Sequence, residues 1–188
     1  GDIQRSKKNG ESVFVPSSLS AIRNEATEIT GYVSVSFDIS KERKLRDQVK
    51  YLASIVEQAT DAIISVDEDK RIISWNSGAA KLHGFTEAEA KGRLLQELGI
   101  ARFTREDEAL SMQAIMEKGV WITETMLYHK DGSSFFGSIT GYPLFDGNHE
   151  IRAVVFFEKD ISLRKKMETQ LQQYNEELES EVASRTGE

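Results

Sequence analysis

The chain has 188 residues, 39% of them hydrophobic, and carries 31 acidic against 24 basic side chains for a net charge of −7. Acids and bases are interspersed, which argues against nucleic acid or an anionic membrane surface as the main partner, and the apolar fraction is that of a chain able to bury a core. The sequence contains no cysteine, so disulfides, zinc-thiolate sites, thiol nucleophiles and iron-sulfur ligation are excluded.

The first element in chain order is a tight turn at Asn9-Gly10, a dipeptide that readily supplies positive φ in a two-residue hairpin loop. Residues 12–22 and 29–37 are rich in β-formers and are separated by a polar turn around Asn24, which predicts a hairpin. It ends at Asp38-Ile39-Ser40, with the serine placed to cap a helix. In that helix Leu45, Val49, Leu52, Val56 and Ala59 recur at alternating intervals of four and three, a heptad seam among Lys, Arg, Asp and Gln. Such a seam suits a coiled coil or a helix folded back on its own sheet.

Residues 62–66 and 71–75 form a second hairpin pattern across the polar run Asp67-Glu68-Asp69-Lys70. Asn76 is placed to cap a short helix over residues 77–83, which Gly84 stops in the left-handed conformation. Thr86-Glu87-Ala88-Glu89 has the spacing of a capping box, and Gly92 closes that turn. Thr104 and Asp107 repeat the start signal for a helix that contains Leu110, Ile115 and Met116 and ends at Gly119. Residues 121–129 read as a strand entering the Asp131-Gly132 turn. Two further β-rich runs, residues 134–144 and 151–157, flank Asp146-Gly147-Asn148. Asp160-Ile161-Ser162 then leads into a helix over residues 163–184, in which Met167, Leu171, Tyr174 and Leu178 repeat the seam and Val182 lies one step beyond. Its apolar stripe is narrow and its faces are charged, which favours a parallel dimer over a helix folded back on its own sheet.

The chain contains a repeat. A shift of 122 residues lays Lys8 on Lys130, Gly10 on Gly132, Ser12 on Ser134 and Phe14 on Phe136 without a gap. The same register superposes Glu28-Ile29 on Glu150-Ile151, Val33 on Val155, Asp38-Ile39-Ser40 on Asp160-Ile161-Ser162, and Lys44 on Lys166. A lone hairpin is marginal in water, so residues 1–40 are expected to be the closing hairpin of a truncated upstream domain. Residues 41–60 follow as a helical linker, 61–162 as a complete domain and 163–188 as a signalling coiled-coil helix.

Strand, strand, several short helices, three strands and a long polar helix describe an α+β fold with an antiparallel sheet. The pattern resembles the PAS (PAS/PAC) sensory family, through Ile73-Ser74-Trp75-Asn76, Leu82-His83-Gly84-Phe85-Thr86, Lys130-Asp131-Gly132-Ser133 and Asp160-Ile161-Ser162. The resemblance implies the PAS fold: a five-stranded antiparallel sheet with short helices on one face, enclosing a cavity, flanked here by amphipathic coiled-coil helices. Some members fill that cavity with flavin, haem or a metabolite and many leave it packed. Photoreceptors of the LOV type need a cysteine for the flavin adduct, which this sequence lacks. PAS haem sensors take their iron ligand from a histidine on the helix corresponding to residues 105–118, where none occurs.

Candidates for lining the cavity are Trp75, Asn76, His83, Trp121, Tyr128 and Tyr142. Four have a structural alternative: core packing for the tryptophans, helix capping for Asn76, and for His83 a contact with the last carbonyls of its own helix; alternation leaves Tyr128 and Tyr142 free to face inward or outward. His129 and His149 sit at turns and are expected to be solvated, and three scattered histidines make no metal site. The expectation is no resident cofactor, with a noncovalent flavin or other small ligand as the alternative.

Residues 174–186 resemble the signalling helix that leads into the dimerisation domain of sensor histidine kinases. No phosphoacceptor motif, glycine-rich ATP box, acid-base pair or nucleophile accompanies it, so the segment itself is not expected to be an enzyme. The sequence therefore points to a signal-sensing and homodimerising input module of a two-component sensor histidine kinase. The relay would run through Asp160, Ile161 and Ser162, with Asp38, Ile39 and Ser40 as the counterpart in the first copy, and the dimer helix would use Met167, Leu171, Tyr174, Leu178 and Val182. A diguanylate cyclase or a regulator is the alternative parent. No apolar run reaches the roughly 20 residues that cross a bilayer, so a cytoplasmic setting is expected, with any membrane anchor of the parent elsewhere.

Overall fold

The computed structural model describes residues 2–6, 8, 10 and 12–186, and the chain divides into two compact units, Gly1–Ile55 and Val56–Glu188. In the first unit β2 (Ser12–Arg23) and β3 (Ile29–Ser36) form the predicted hairpin. Asn24 sets its turn: the side-chain oxygen accepts from the Glu28 N–H at 2.9 Å, the backbone N–H donates to the Glu28 carbonyl at 3.0 Å, and Thr27 takes φ 68°. Gly10 supplies the expected positive φ of 83°, whereas Asn9, its partner in the predicted turn, lies outside the described residues. A third strand, β1 (Asp2–Ser6), pairs antiparallel with β2 to give the sheet order β1-β2-β3. Helix α1 (Ser40–Glu57) follows, and Leu19, Tyr32 and Phe37 stand exposed.

The second unit is built on β4 (Ala62–Asp67), β5 (Ile72–Trp75), β6 (Trp121–Tyr128), β7 (Ser134–Phe145) and β8 (Ile151–Asp160). They form a five-stranded, wholly antiparallel sheet in the order β5-β4-β8-β7-β6. Between β5 and β6 come α2 (Ser77–His83), α3 (Glu87–Ala90), a 3₁₀ turn at Leu95–Leu98 and α4 (Arg105–Lys118); α5 (Ser162–Thr186) leaves the end of β8. The predicted punctuation is present. Thr86 and Thr104 each close a capping box, and Gly84 and Gly119 end α2 and α4 in the left-handed conformation.

One row across the inner face runs Trp75, Ile64, Phe156, Gly141 and Trp121, each paired with the next on the neighbouring strand. Ala79, Ala90, Leu98, Ile100 and Ile115 from the helical layer pack over this face and complete the core with Ile64, Val66, Ile72 and Val154. Burying these side chains supplies the main stabilisation of the domain, at roughly 25 cal/mol per Å² of apolar surface. Leu110 and Met116, the other apolar residues read into α4, are exposed. The helix is therefore held by Ile115 alone among the three.

The repeat holds down to backbone detail. β2 and β7 start and stop 122 residues apart, and so do the first residues of β3 and β8 and of α1 and α5. Pairing is in the same register: Ser17 opposite Ser36 in one copy, Ile139 opposite Glu158 in the other, with a bulge at Ile22/Arg23 matched at Leu144/Phe145. Asp146 repeats the part of Asn24, and His149 takes φ 66° as Thr27 takes φ 68°. Leu45, Val49, Leu52 and Val56 stand at the same shift from Met167, Leu171, Tyr174 and Leu178, so the seam keeps one phase relative to the start of its helix.

Candidate functional site

Asn76 does more than cap α2. Its Oδ1 accepts from the Ala79 N–H at 2.8 Å and from the Ile63 N–H at 2.8 Å, while Nδ2 donates to the Val56 carbonyl at 3.0 Å and the Asp61 carbonyl at 3.1 Å. All four valences of the amide are used, and the residue is buried. Gly78 allows this close seating, because a Cβ there would overlap the Asp61 carbonyl and come within 2.9 Å of the Ala59 carbonyl oxygen.

Trp75 is buried and its indole N–H donates to the Phe85 carbonyl at 3.0 Å. Trp121 is half-buried, wedged edge-on between Phe103 (5.6 Å) and Phe156 (6.4 Å). The core over Gly141 is filled: a Cβ there would meet Phe156 at 3.0 Å and Ile115 at 3.6 Å. Both tryptophans thus face the core as read from the sequence. The tyrosines, whose orientation the sequence leaves open, face the other way. Tyr142 is exposed and meets Phe157 edge-on, and Tyr128 alternates with buried Leu127 and carries the Arg102 guanidinium 4.3 Å over its ring. Strand alternation turns both away from the core face.

His83 departs from the expected contact with the last carbonyls of its own helix. The last carbonyls of α2 are already taken, Ala80 by the Gly84 N–H at 2.9 Å and His83's own by the Lys130 N–H at 2.8 Å. The side chain instead has no exposed surface; Nε2 lies 2.6 Å from Glu158 Oε2 and Nδ1 3.2 Å from the Tyr128 carbonyl oxygen. Glu158, which the sequence did not single out, sits on the inner face of β8, opposite Ala62 and Ile139. His129, expected to be solvated, is half-buried, with Nδ1 on the Leu82 carbonyl at 2.6 Å and its ring 4.6 Å from Phe135. The turn places it beside α2, where a free helix carbonyl needs a donor. His149 is exposed as expected. No group of metal-ligating side chains occurs among the described residues.

At the junction, Asp160 Oδ1 accepts from the Ser162 N–H at 2.8 Å and Ser162 Oγ accepts from the Phe136 N–H at 3.0 Å, while the Ile161 N–H donates to the Phe136 carbonyl at 2.8 Å. Ser162 therefore caps less than it splices: it ties the first residue of α5 to the beginning of β7. In the first copy Asp38 Oδ1 accepts from the Ser40 N–H at 3.0 Å. Glu124 on β6 reaches Lys165 at 2.7 Å and also pairs with Arg164. Those cations, Lys165 first, hold the Glu124 carboxyl below its ordinary range, and Glu124 raises both of theirs. Met167, Leu171, Tyr174, Leu178 and Val182 are all exposed along α5.

The family model for the PAS domain matches residues 1–41 and 60–163. The chain belongs to the PAS domain family. Its 86-residue match to the cell-division control histidine kinase PdhS of Brucella anthropi is 29% identical and covers 45% of this chain and 8% of that protein. A 112-residue match to a blue-light photoreceptor of Listeria monocytogenes is 30% identical and covers 60% of this chain and 44% of that one. The chain thus spans less than half the length of either relative. Among solved structures, the PAS domain of a protein from Colwellia psychrerythraea aligns with a TM-score of 0.56 at 26% identity, over 62% of this chain and 98% of that one. The five-stranded sheet with its helical layer is accordingly a PAS sensory domain, and no helix among the described residues is long and apolar enough to cross a membrane.

Proposed function

We propose that this chain is the signal-input and dimerisation segment of a two-component sensor histidine kinase. A change in the PAS core alters the Asp160-Ile161-Ser162 splice and so the rotation or register of α5. The observation that carries the reading is that splice: strand β7 bonds directly to the first residues of a helix whose heptad seam faces outward. α5 has 25 residues, about 37 Å at 1.5 Å per residue, and its exposed seam is flanked by charges, as expected of a helix that meets a second copy of itself. The similarity to a histidine kinase supports this class of output over a cyclase or a regulator. Catalysis then belongs to other parts of the parent protein, and the segment works as a cytoplasmic relay.

Sedimentation equilibrium tests the dimer: the chain is expected to be dimeric and Leu171→Asp monomeric with an intact fold, and a monomeric parent chain would refute it. Asp160→Ala in the full-length protein should shift basal output, and unchanged output with an intact fold would remove the splice from the relay.

A second reading, a noncovalent flavin sensor, is favoured by the similarity to a blue-light photoreceptor. Against it stand Phe156 and Ile115 packed onto Gly141, where an isoalloxazine would have to displace them. We therefore favour a core that works without a resident cofactor. An absorption spectrum of the purified chain decides: a flavin band would overturn this choice.

A further inference from the structure

We propose that His83 and Glu158 form a proton-dependent latch between the helical layer and the strand that runs into α5. The tautomer follows from the partners. The Tyr128 carbonyl 3.2 Å from Nδ1 can only accept, so Nδ1 carries a hydrogen. A neutral ring then presents a bare lone pair at Nε2, facing a carboxylate that also only accepts. The 2.6 Å contact between them therefore holds one proton, whether it resides on Nε2 or on Oε2. With that proton the pair is neutral as a unit and the buried polar atoms are paired. Without it two lone pairs, one of them charged, face each other with no water available, an arrangement that costs more in a low-dielectric interior than in solvent. The contact must open.

The position of the pair gives the opening a consequence. His83 is the last residue of α2, with Trp75 and Phe135 at 5.6 and 5.8 Å on its two sides. Glu158 lies two residues before Asp160 and on the same face of β8. Release of the carboxylate frees the strand from the helical layer immediately ahead of the splice to α5. The pair lies behind a solvent-open depression bordered by Lys81, Gly84, His129, Lys130, Asp131 and Ser133, from which the His83 side chain is closed off while the contact holds.

The charged and titratable groups around the pair are Lys81 on α2; Tyr128, His129, Lys130 and Asp131 at the end of β6; Lys159 and Asp160 on β8; and Asp61 ahead of β4. Among the described residues none of them forms an ion pair with either member. Lys130 is engaged by Glu89, and Asp131 accepts from the Ser133 hydroxyl at 2.6 Å. Among the described residues His83 and Glu158 have each other as their only ion-pair partner, which makes the proton between them the decisive one.

This latch rests on the reading of β8 and α5 as the output path, but its test is separate from that of the dimer. Ring-nitrogen NMR on the full chain, with His83 assigned by loss of its signals in His83→Gln, should find Nδ1 protonated throughout. A series of spectra at rising pH should show loss of the proton shared by Nε2 at that nitrogen. The amide shifts of Asp160, Ile161 and Ser162 should move with the same midpoint. Glu158→Gln supplies an uncharged donor to a neutral Nε2 and should abolish that movement while the chain stays folded. An unprotonated Nδ1 in the parent chain, junction amides that do not follow the ring, or an unchanged midpoint in Glu158→Gln would each overturn the proposal. The first two readings are made on the unmodified chain, with His83→Gln serving only for assignment.

Discussion

Replacing Asn76 with alanine removes four hydrogen bonds at once, and the structure allows the loss to be divided. The bond to the Ala79 N–H is the helix cap, worth about 1 kcal/mol. The Ile63 N–H loses its 2.8 Å acceptor in a partly buried site, at a further ~1–3 kcal/mol. The Val56 and Asp61 carbonyls belong to exposed residues, so water can replace the amide there at little cost. The expected destabilisation is about 2–4 kcal/mol, or roughly 4–16 °C in Tm at about 2–4 °C per kcal/mol for a chain of this size. Two further substitutions separate the parts. Asn76→Ser keeps an oxygen for the cap and loses the reach to Val56 and Asp61, so it should fall between wild type and alanine. Asn76→Asp keeps both accepted bonds but points an oxygen at two carbonyls, so it should be less stable than wild type at neutral pH and recover part of the loss when protonated. Thermal unfolding followed by circular dichroism measures all three. An alanine variant melting within about 1 °C of wild type would refute the assignment of Asn76 as the four-way tie.

Gly78→Ala should lower the melting temperature by more than a helix-propensity change can explain, because the new methyl collides with the Asp61 carbonyl, whereas Gly147→Ala, with nothing within 4 Å, serves as the neutral control. Glu89 is held down to about 2 from 4.5, first by its hydrogen bond from Lys130 and then by the Thr86 N–H. A depressed carboxyl stabilises the fold fully above its unfolded value and loses that contribution as pH falls from about 4.5 toward 2. Glu89→Gln should therefore flatten acid unfolding over that window, and an unchanged acid limb would contradict the pairing. Glu124→Gln uncouples Arg164 and Lys165 from β6, which should raise amide hydrogen exchange in the first turns of α5 while exchange in β4 stays constant.

How far these features can be read from sequence depends on the distance over which each one acts. The Asn76 cap is local, three residues from its acceptor's partner, and a single Asn before a Ser-Gly-Ala-Ala run announces it. Its bonds to Ile63, Val56 and Asp61 span 13, 20 and 15 residues and follow only from the packing of α2 on β4. The pair His83 and Glu158 is separated by 75 residues, and a lone Glu in the charged-looking stretch before Asp160 gives no sign that strand alternation turns it inward. Strand β1 is illegible in the sequence for a different reason: Asp2–Ser6 has neither alternation nor β-branched runs beyond Ile3, and its pairing with β2 supplies what its composition does not. The tyrosines illustrate a third limit. Period two fixes that Tyr128 and Leu127 face opposite ways, but which of them faces in is decided by the helical layer.

The constant phase between splice and seam means that α1 and α5 are exchangeable parts. In each copy the seam begins at the same azimuth from the serine that starts the helix, so residues 40–57 and 162–179 present one wheel to whatever meets them. An extra copy of the sheet-and-helix unit inserted at either junction would preserve that azimuth, whereas deleting one residue between serine and seam would turn it by about 100°. The repeat is thus a coupling of fixed angular pitch, and a fusion or shuffled variant remains in step only if it is cut at an Asp-Ile-Ser junction or by whole heptads.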